Sequence, residues 1–256
     1  MSEKFPFVNL IIENSVASID FFHPSHNSLP GELLEKLTKE INTASKNEDV
    51  RIISIKSEGD RTFCAGASFT ELVNIDNLKQ GKDFFLGFAN VINAIRKSSK
   101  IVIISLQGKA VGGGVGLASA ADYCLATKWA SVRLSELAVG IGPFVIGPAV
   151  ERKVGISNFS AMSLQPNTWY DADWCKSNGL FHEVFESKGT MEEYESTFIN
   201  TLLSFNPLAL KGLKEVFWKG TEHWDTLLAE RAEMSGNLVL SKYVKEAISG
   251  FLEGKT

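Results

Sequence analysis

A run of glycines within residues 107–117, QGKAVGGGVGL, is the part of this sequence that most directly suggests chemistry. Glycine has no Cβ, so consecutive glycines leave backbone N–H groups open to a ligand. A strand-like stretch precedes the run and an Ala-rich helical stretch follows it. A helix that begins there would direct its unpaired N–H groups, and about half a positive charge, at the turn. The run could therefore stabilise negative charge, although glycines that only permit close strand–helix packing would give the same pattern.

Two common nucleotide-binding motifs do not match this run. The phosphate-binding motif G-x-x-x-x-G-K-[ST] requires a Lys-Ser/Thr pair, and none follows these glycines. The dinucleotide motif G-x-G-x-x-G/A fails because Gly112 and Gly114 lead to Leu117, whereas Gly114 and Gly116 lead to Ser119. The sequence therefore disfavours ATP and NAD as ligands.

Two further segments carry candidate groups. Small residues in FCAGAS, at 63–68, follow a predicted strand and would also leave backbone amides accessible, unless this is an ordinary tight turn. Glu136 is the lone acid among apolar neighbours in the segment 132–143. Burial would raise its pKa from about 4.3, which suits proton transfer near neutral pH. The alternative is a glutamate whose side chain satisfies a nearby backbone group or a basic partner such as Arg133 or Arg152.

Strands and helices alternate through roughly the first 190 residues and would position these segments. Residues 8–12 and 16–21 predict a hairpin, residues from 31 a helix, 51–56 a strand, 82–97 a helix and 101–106 a strand. This alternation predicts an α/β fold with parallel strand pairing. After residue 190 the periodicity is helical, over 192–204, 207–218 and 224–251. We therefore predict a core over 1–190 and a helical C-terminal region over 191–256.

Composition excludes several classes of protein. With 256 residues, 44% of them hydrophobic, the chain can bury a large core without disulfides. A net charge of −4 argues against general affinity for nucleic acid or anionic membranes. Three scattered cysteines are poor material for a disulfide framework or a zinc site. The sequence lacks a secretion signal and any apolar run of about 18 residues, so we expect a soluble, cytoplasmic protein.

Taken together, these segments resemble the crotonase, or enoyl-CoA hydratase/isomerase, superfamily. The resemblance extends over the opening hairpin, the NSL loop at 27–29, FCAGA, AVGGG, LSE and the helical tail. The order and spacing carry it, with Ala67, Gly113 and Glu136 separated by 46 and 23 positions. It implies a spiral of ββα units, a helical C-terminal trimerisation region in a homotrimer or homohexamer, and an acyl-CoA substrate. It implies no metal and no cofactor beyond the coenzyme A of the substrate.

The resemblance also assigns roles to individual residues. The N–H groups of Ala67 and Gly113 would form an oxyanion hole, and Glu136 would transfer protons. The residues expected to contact coenzyme A are Asn27, Cys64, Ala65, Ala67 and Gly113, with His23 and His26 near the coenzyme. The residues expected to line the substrate pocket are Gly112, Gly116 and Phe144. Phe251 and Lys255 would approach the coenzyme of a neighbouring subunit.

This sequence departs from the best-known hydratases of that family. Gly116 stands where they carry a first catalytic glutamate, and Ser68 replaces an aspartate. A single glutamate could serve hydration of a 2-enoyl-CoA or Δ3-Δ2 isomerisation. The segment 134–148 is most similar to methylglutaconyl-CoA-hydratase-like members, which favours hydration and a place in leucine catabolism. A catalytically silent acyl-CoA-binding protein is the third alternative.

Overall fold

The computed structural model describes residues 5–252, with residues 249–252 described by their backbone alone. Its strands are β1 (Phe7–Glu13), β2 (Val16–Phe22), β3 (Ile52–Ser57), β4 (Thr62–Cys64), β5 (Ile101–Leu106), β6 (Lys109–Val111), β7 (Tyr123–Thr127), β8 (Ser131–Arg133), β9 (Tyr170–Asp171) and β10 (Glu183–Phe185). Its α-helices are α1 (Gly31–Lys46), α2 (Phe69–Val73), α3 (Leu78–Lys97), α4 (Gly113–Ala120), α5 (Gly147–Leu164), α6 (Ala172–Ser177), α7 (Lys188–Ser204), α8 (Pro207–Phe217), α9 (Trp224–Val239) and α10 (Lys242–Leu252). A 3₁₀ helix spans Glu136–Val139. Within this range no helix combines the length and apolar character needed to cross a membrane.

The strands form two sheets. The larger has the order β1-β2-β3-β5-β7-β10, and the smaller has the order β4-β6-β8-β9. After the antiparallel β1–β2 hairpin, every neighbouring pair in the larger sheet is parallel. The chain repeatedly adds one strand to the larger sheet, one to the smaller sheet and then helix, so β3-β4-α2-α3 is followed by β5-β6-α4 and β7-β8-α5. This order confirms the predicted α/β spiral of ββα units.

Hydrophobic periodicity explains the best-predicted elements. The helical spacing of apolar residues in α1 predicts one inward face, and the structure buries it, through Leu33, Leu34, Leu37, Ile41 and Ala44. All six residues of β5 are buried, because this strand lies between β3 and β7 in the larger sheet. A β-branched run without alternation is typical of a parallel strand covered on both faces.

The C-terminal helices differ from the prediction at one point. The single helix predicted over 224–251 is wrong, because the structure has α9 and α10 with a break at Leu240–Ser241. The Ser241 N–H bonds to Leu238 O, and its Oγ accepts from Val244 N at 3.3 Å, which starts the new helix. α9 packs along α3 so closely that a Cβ on Gly81 would lie 2.8 Å from Gly236 O. The division at residue 190 stays a prediction.

A buried ion pair fixes α8 to the spiral. Asp122, between α4 and β7, accepts hydrogen bonds from Val102 N at 2.7 Å, Lys214 Nζ at 2.7 Å and Trp218 Nε1 at 2.6 Å. Lys214 Nζ also donates to Ile95 O at 2.8 Å. The side chains of the ion pair are each 2% exposed. Each charge is therefore compensated inside the protein, and removal of one leaves the other unpaired.

Lys214→Met is expected to lower the free energy of unfolding by about 3 kcal/mol or more, because the Asp122 carboxylate would stay buried without its cation. Chemical denaturation measures the change. The matched control is the double variant Asp122→Asn/Lys214→Met, which removes both charges and should be more stable than the single variant. A single variant within about 1 kcal/mol of the parent protein would contradict this assignment.

Candidate active site

The glycine run turns the chain from β6 into α4. Gly112 has φ +50° and ψ −115°, a conformation that L-residues with a side chain rarely adopt. Its N–H donates to Arg133 O at 3.0 Å, and its carbonyl accepts from Val115 N at 2.8 Å. The next amide, that of Gly113, begins α4 and has no acceptor among the described residues. An unpaired N–H therefore lies at the N-terminus of this helix.

The FCAGAS segment forms a second turn, between β4 and α2. Leu29 N donates to Gly66 O at 2.8 Å, and Leu29 pairs with Ala67 in an isolated parallel bridge. Ser68 caps α2 by accepting from Glu71 N at 3.3 Å. Within the described residues the Ala67 N–H, like that of Gly113, is not used in a hydrogen bond.

The two turns are in direct contact. Gly66 has φ +90°, and a Cβ at this position would lie 3.0 Å from Val111 O and 3.6 Å from Gly113 N. The contact arises because β4 and β6 are parallel neighbours, paired through Cys64 and Ala110. The Ala67 and Gly113 backbones thus lie at one edge of the smaller sheet.

A largely apolar pocket opens at this edge. Six residues singled out from the sequence line it, namely Ala65, Ala67, Gly112, Gly113, Glu136 and Phe144. The structure therefore brings together residues from three separate segments. A Cβ on Gly113 would lie 2.3 Å from the Phe88 ring, so close packing also restricts this position to glycine.

The Glu136 carboxyl lies against the glycine turn. A Cβ on Gly112 would lie 2.9 Å from Glu136 Oε1, so the carboxyl fills the space that a side chain there would need. Although the residue as a whole keeps some exposed surface, Oε2 is buried and has no hydrogen-bond partner. Loss of hydration on burial raises the pKa of Glu136 to about 7, despite a backbone hydrogen bond that lowers it. The group can thus gain or lose a proton near neutral pH.

Neither arginine considered as a partner neutralises Glu136. The Arg133 guanidinium stacks on the Trp169 ring, 4.7 Å from its centroid. Arg152 stacks on Trp218 and donates to Phe217 O. The carboxyl thus has neither arginine as a partner, and its hydrogen bond is to the backbone of Glu136 itself.

A groove of about 920 Å³ continues from the pocket towards the surface. Pocket and groove share lining residues, among them Ala65, Ala67 and Ser135. The groove is more polar than the pocket and is also lined by His23, His26, Ser25, Ser28, Arg133 and Asn167. It can accommodate a long polar ligand whose reactive end enters the pocket.

Two residues expected to contact coenzyme A have other roles. Asn27 is 3% exposed, and its Nδ2 donates to Glu58 O at 2.8 Å and Thr62 O at 2.9 Å. With both N–H bonds used, we correct its role to one of shaping the loop. Cys64 is fully buried, and burial raises the pKa of its thiol to about 12, so it is a core residue. Ala65 does line the expected site.

Gly116 also needs a correction. It lies one helical turn after Gly113 but does not border open space, because a Cβ there would lie 2.4 Å from Ile146 Cγ2. Ile146 itself lines the pocket. The space expected beside Gly116 is therefore filled by an apolar side chain.

Sequence reasoning missed much of the pocket wall. Phe84, Phe85 and Phe88 on α3 line it, whereas their helical spacing alone predicts only that they face inward. The polar groove residue Arg133 had been considered only as a partner of Glu136. The direction in which each residue points depends on how α3 and β8 pack, and one sequence contains no such signal.

Two further expectations concern the chain end and metal ions. Lys255 lies outside the described residues, and only the helical backbone of Phe251 is described. Among residues whose side chains are described, no group of three or more His, Cys, Asp or Glu is arranged to hold a metal ion.

Several curated proteins are similar to this chain. A short-chain-enoyl-CoA hydratase of Clostridium acetobutylicum is 26% identical over 96% of this chain and 95% of its own length. A peroxisomal Δ(3,5)-Δ(2,4)-dienoyl-CoA isomerase of Arabidopsis thaliana is 26% identical over 96% of this chain and 94% of its own. A mitochondrial methylglutaconyl-CoA hydratase of Mus musculus is 29% identical over 77% of this chain and 63% of its own.

Solved structures support the fold independently. The crystal structure of an enoyl-CoA hydratase from Bacillus halodurans superposes with a TM-score of 0.88 over 95% of this chain and 99% of that one, at 20% identity. The family described as enoyl-CoA hydratase/isomerase matches residues 11–256, almost the whole sequence. By that match this chain belongs to the enoyl-CoA hydratase/isomerase family.

Proposed function

We propose that this protein is an enoyl-CoA hydratase that adds water to a 2-enoyl-CoA thioester. The observation that carries the proposal is the carboxyl of Glu136, whose buried Oε2 has no hydrogen-bond partner, in a pocket that also contains the free amides of Ala67 and Gly113. Such a pocket combines an acid–base group with two donors for an oxyanion. Hydration needs both the acid–base group and the oxyanion donors.

The two amides would stabilise the thioester oxygen. Attack at Cβ moves the π electrons of the enoyl group towards the carbonyl, so negative charge develops on its oxygen. Backbone donors fixed before the reaction stabilise this charge, and loss of one such donor typically costs about 3–4 kcal/mol of barrier. The N-terminus of α4, at Gly113, adds its partial positive charge.

Glu136 would carry the proton through both halves of the reaction. Its ionised carboxylate takes a proton from water as the water oxygen bonds to Cβ. The enolate then takes this proton at Cα, which regenerates the carboxylate and completes the addition of water. Among the described lining residues Glu136 is the sole acid, so one carboxyl performs both transfers.

Isomerisation is the second candidate, because the same groups could perform it. Glu136 would remove the α-proton of a 3-enoyl-CoA, the amides would hold the dienolate oxygen, and the proton would return at the γ-carbon. Isomerisation is also supported because one of the similar proteins is named a dienoyl-CoA isomerase. A catalytically silent acyl-CoA-binding protein would retain the pocket without turnover.

The groove would hold the coenzyme. Ala65 lies where pocket and groove meet, and Arg133, His23 and His26 offer cationic or polar groups for the phosphates. The homotrimer or homohexamer remains a proposal, supported by exposed apolar side chains on α8 such as Leu208 and Val216. The cytoplasmic location remains an expectation, and the place in leucine catabolism depends on which acyl group the pocket accepts.

Glu136→Gln is expected to lower kcat by about 100-fold or more on every substrate, because the amide cannot transfer the proton. Turnover of 2-enoyl-CoA and 3-enoyl-CoA in heavy water measures this loss and separates hydration from isomerisation. Circular dichroism must show that the variant is folded. Undiminished turnover would remove Glu136 from the mechanism, whereas a parent protein that yields neither product nor deuterium incorporation would indicate a binding protein.

The pH dependence of kcat/KM should report the raised pKa of Glu136. Because the ionised carboxylate is the active base, kcat/KM should fall as the pH drops below about 7 and should level off above it. Steady-state rates between pH 5 and 9 test this. A constant rate down to about pH 5 would contradict burial of the base.

A further inference from the structure

The side chains that line the pocket beside Glu136 disfavour a charged acyl group. Apart from the two turns and Glu136, it is lined largely by aliphatic and aromatic side chains, which are Phe69, Leu72, Phe84, Phe85, Phe88, Val111, Val139, Ile141, Phe144, Val145 and Ile146. Ser135 and Ser235 contribute hydroxyls, and that of Ser235 donates to Arg231 O at 3.1 Å. Among the residues that the structure describes, no Lys, Arg or His lines the pocket.

Two cations on adjoining elements, Arg133 and Lys82, have other partners. Arg133 lies in the groove and stacks on Trp169. Lys82, on the same helix as the phenylalanine wall, pairs with Glu233 at 2.7 Å. A carboxylate on the acyl group would thus lose its hydration without gaining a counter-ion.

Glu136 makes a second carboxylate less favourable still. Its own pKa is already raised by burial. A substrate carboxylate in the same apolar space would oppose the ionised form of Glu136, which is the form that the proposed hydration needs. Charge therefore acts against such a substrate in binding and in turnover.

The pocket is also small. Its cavity volume is about 110 Å³. For comparison, an apolar cavity of about 150 Å³ takes up benzene and remains dry. Ile146 closes the side next to Gly116, so a charged acyl end cannot avoid the apolar walls by extending past that glycine.

We propose, on the basis of the hydratase function above, that the pocket accepts an uncharged apolar acyl group and excludes acyl groups that end in a carboxylate. Methylglutaconyl-CoA belongs to the excluded class. The similarity of residues 134–148 to methylglutaconyl-CoA-hydratase-like members would then reflect the shared position of Glu136 and its glycines, not a shared acyl group.

Binding of two saturated thioesters tests this proposal without turnover. Pentanoyl-CoA and glutaryl-CoA have equal carbon chains and differ in a terminal methyl or carboxylate group. Calorimetry should give about 100-fold tighter binding for pentanoyl-CoA, and glutaryl-CoA should bind no tighter than free coenzyme A. Equal affinities for the two thioesters would overturn the proposal, and so would an affinity for pentanoyl-CoA no higher than that for free coenzyme A.

Turnover of the corresponding enoyl pair separates this proposal from the proposed function. Pent-2-enoyl-CoA should be hydrated and glutaconyl-CoA should be at least about 100-fold slower in kcat/KM. Comparable rates would overturn the charge selection and leave hydration standing. If the binding preference holds but neither thioester reacts, the selection stands and hydration fails.

A matched pair of variants tests whether charge is the cause. Phe84 lines the pocket on α3 and is partly exposed, so a lysine there can keep its ammonium near solvent. Phe84→Lys should tighten glutaryl-CoA binding by about 10-fold, whereas the uncharged control Phe84→Leu should not. Equal glutaryl-CoA affinities in the two variants would show that charge is not what excludes the carboxylate.

Discussion

The buried Oε2 atom of Glu136, which has no hydrogen-bond partner, is the constraint on which the site depends. An unpaired polar group in an apolar environment lowers stability, and a carboxyl responds with a raised pKa. The surrounding structure accommodates it at one spot, over the backbone of Gly112, where a Cβ would lie 2.9 Å from Oε1. The requirement for glycine in the turn and the reactivity of the acid are therefore parts of one arrangement.

The spiral explains how residues so far apart in the chain meet. Ala67 follows the end of β4 by three residues, Gly113 follows β6 by two, and Glu136 follows β8 by three. These strands are consecutive parallel neighbours in the smaller sheet. Each turn of the spiral thus places the C-terminal end of one strand beside the others in the smaller sheet. Small residues after β4 and β6 leave the backbone N–H groups of Ala67 and Gly113 accessible to a ligand. The large sheet and the helices hold this edge in place.

Elements with strong periodicity could be predicted from the sequence, and so could the groups at the strand ends. The α1 face and β5 were predictable because burial follows directly from their patterns. The break between α9 and α10 depends on a local cap at Ser241 within a continuous helical pattern. Asn27 and Gly116 were misassigned because their roles depend on neighbours distant in sequence, Thr62 and Ile146. The residues of α3 that line the pocket cannot be distinguished from core residues in a single sequence, since a pocket lining and a hydrophobic core need the same apolar side chains.

A crystal structure of the protein with butyryl-CoA tests the central claim most directly. The thioester oxygen should accept hydrogen bonds from the Ala67 and Gly113 N–H groups at about 3 Å, with a Glu136 carboxylate oxygen facing the Cα–Cβ bond. An ordered thioester whose oxygen contacts neither amide, or whose acyl carbons point away from Glu136, would contradict the account.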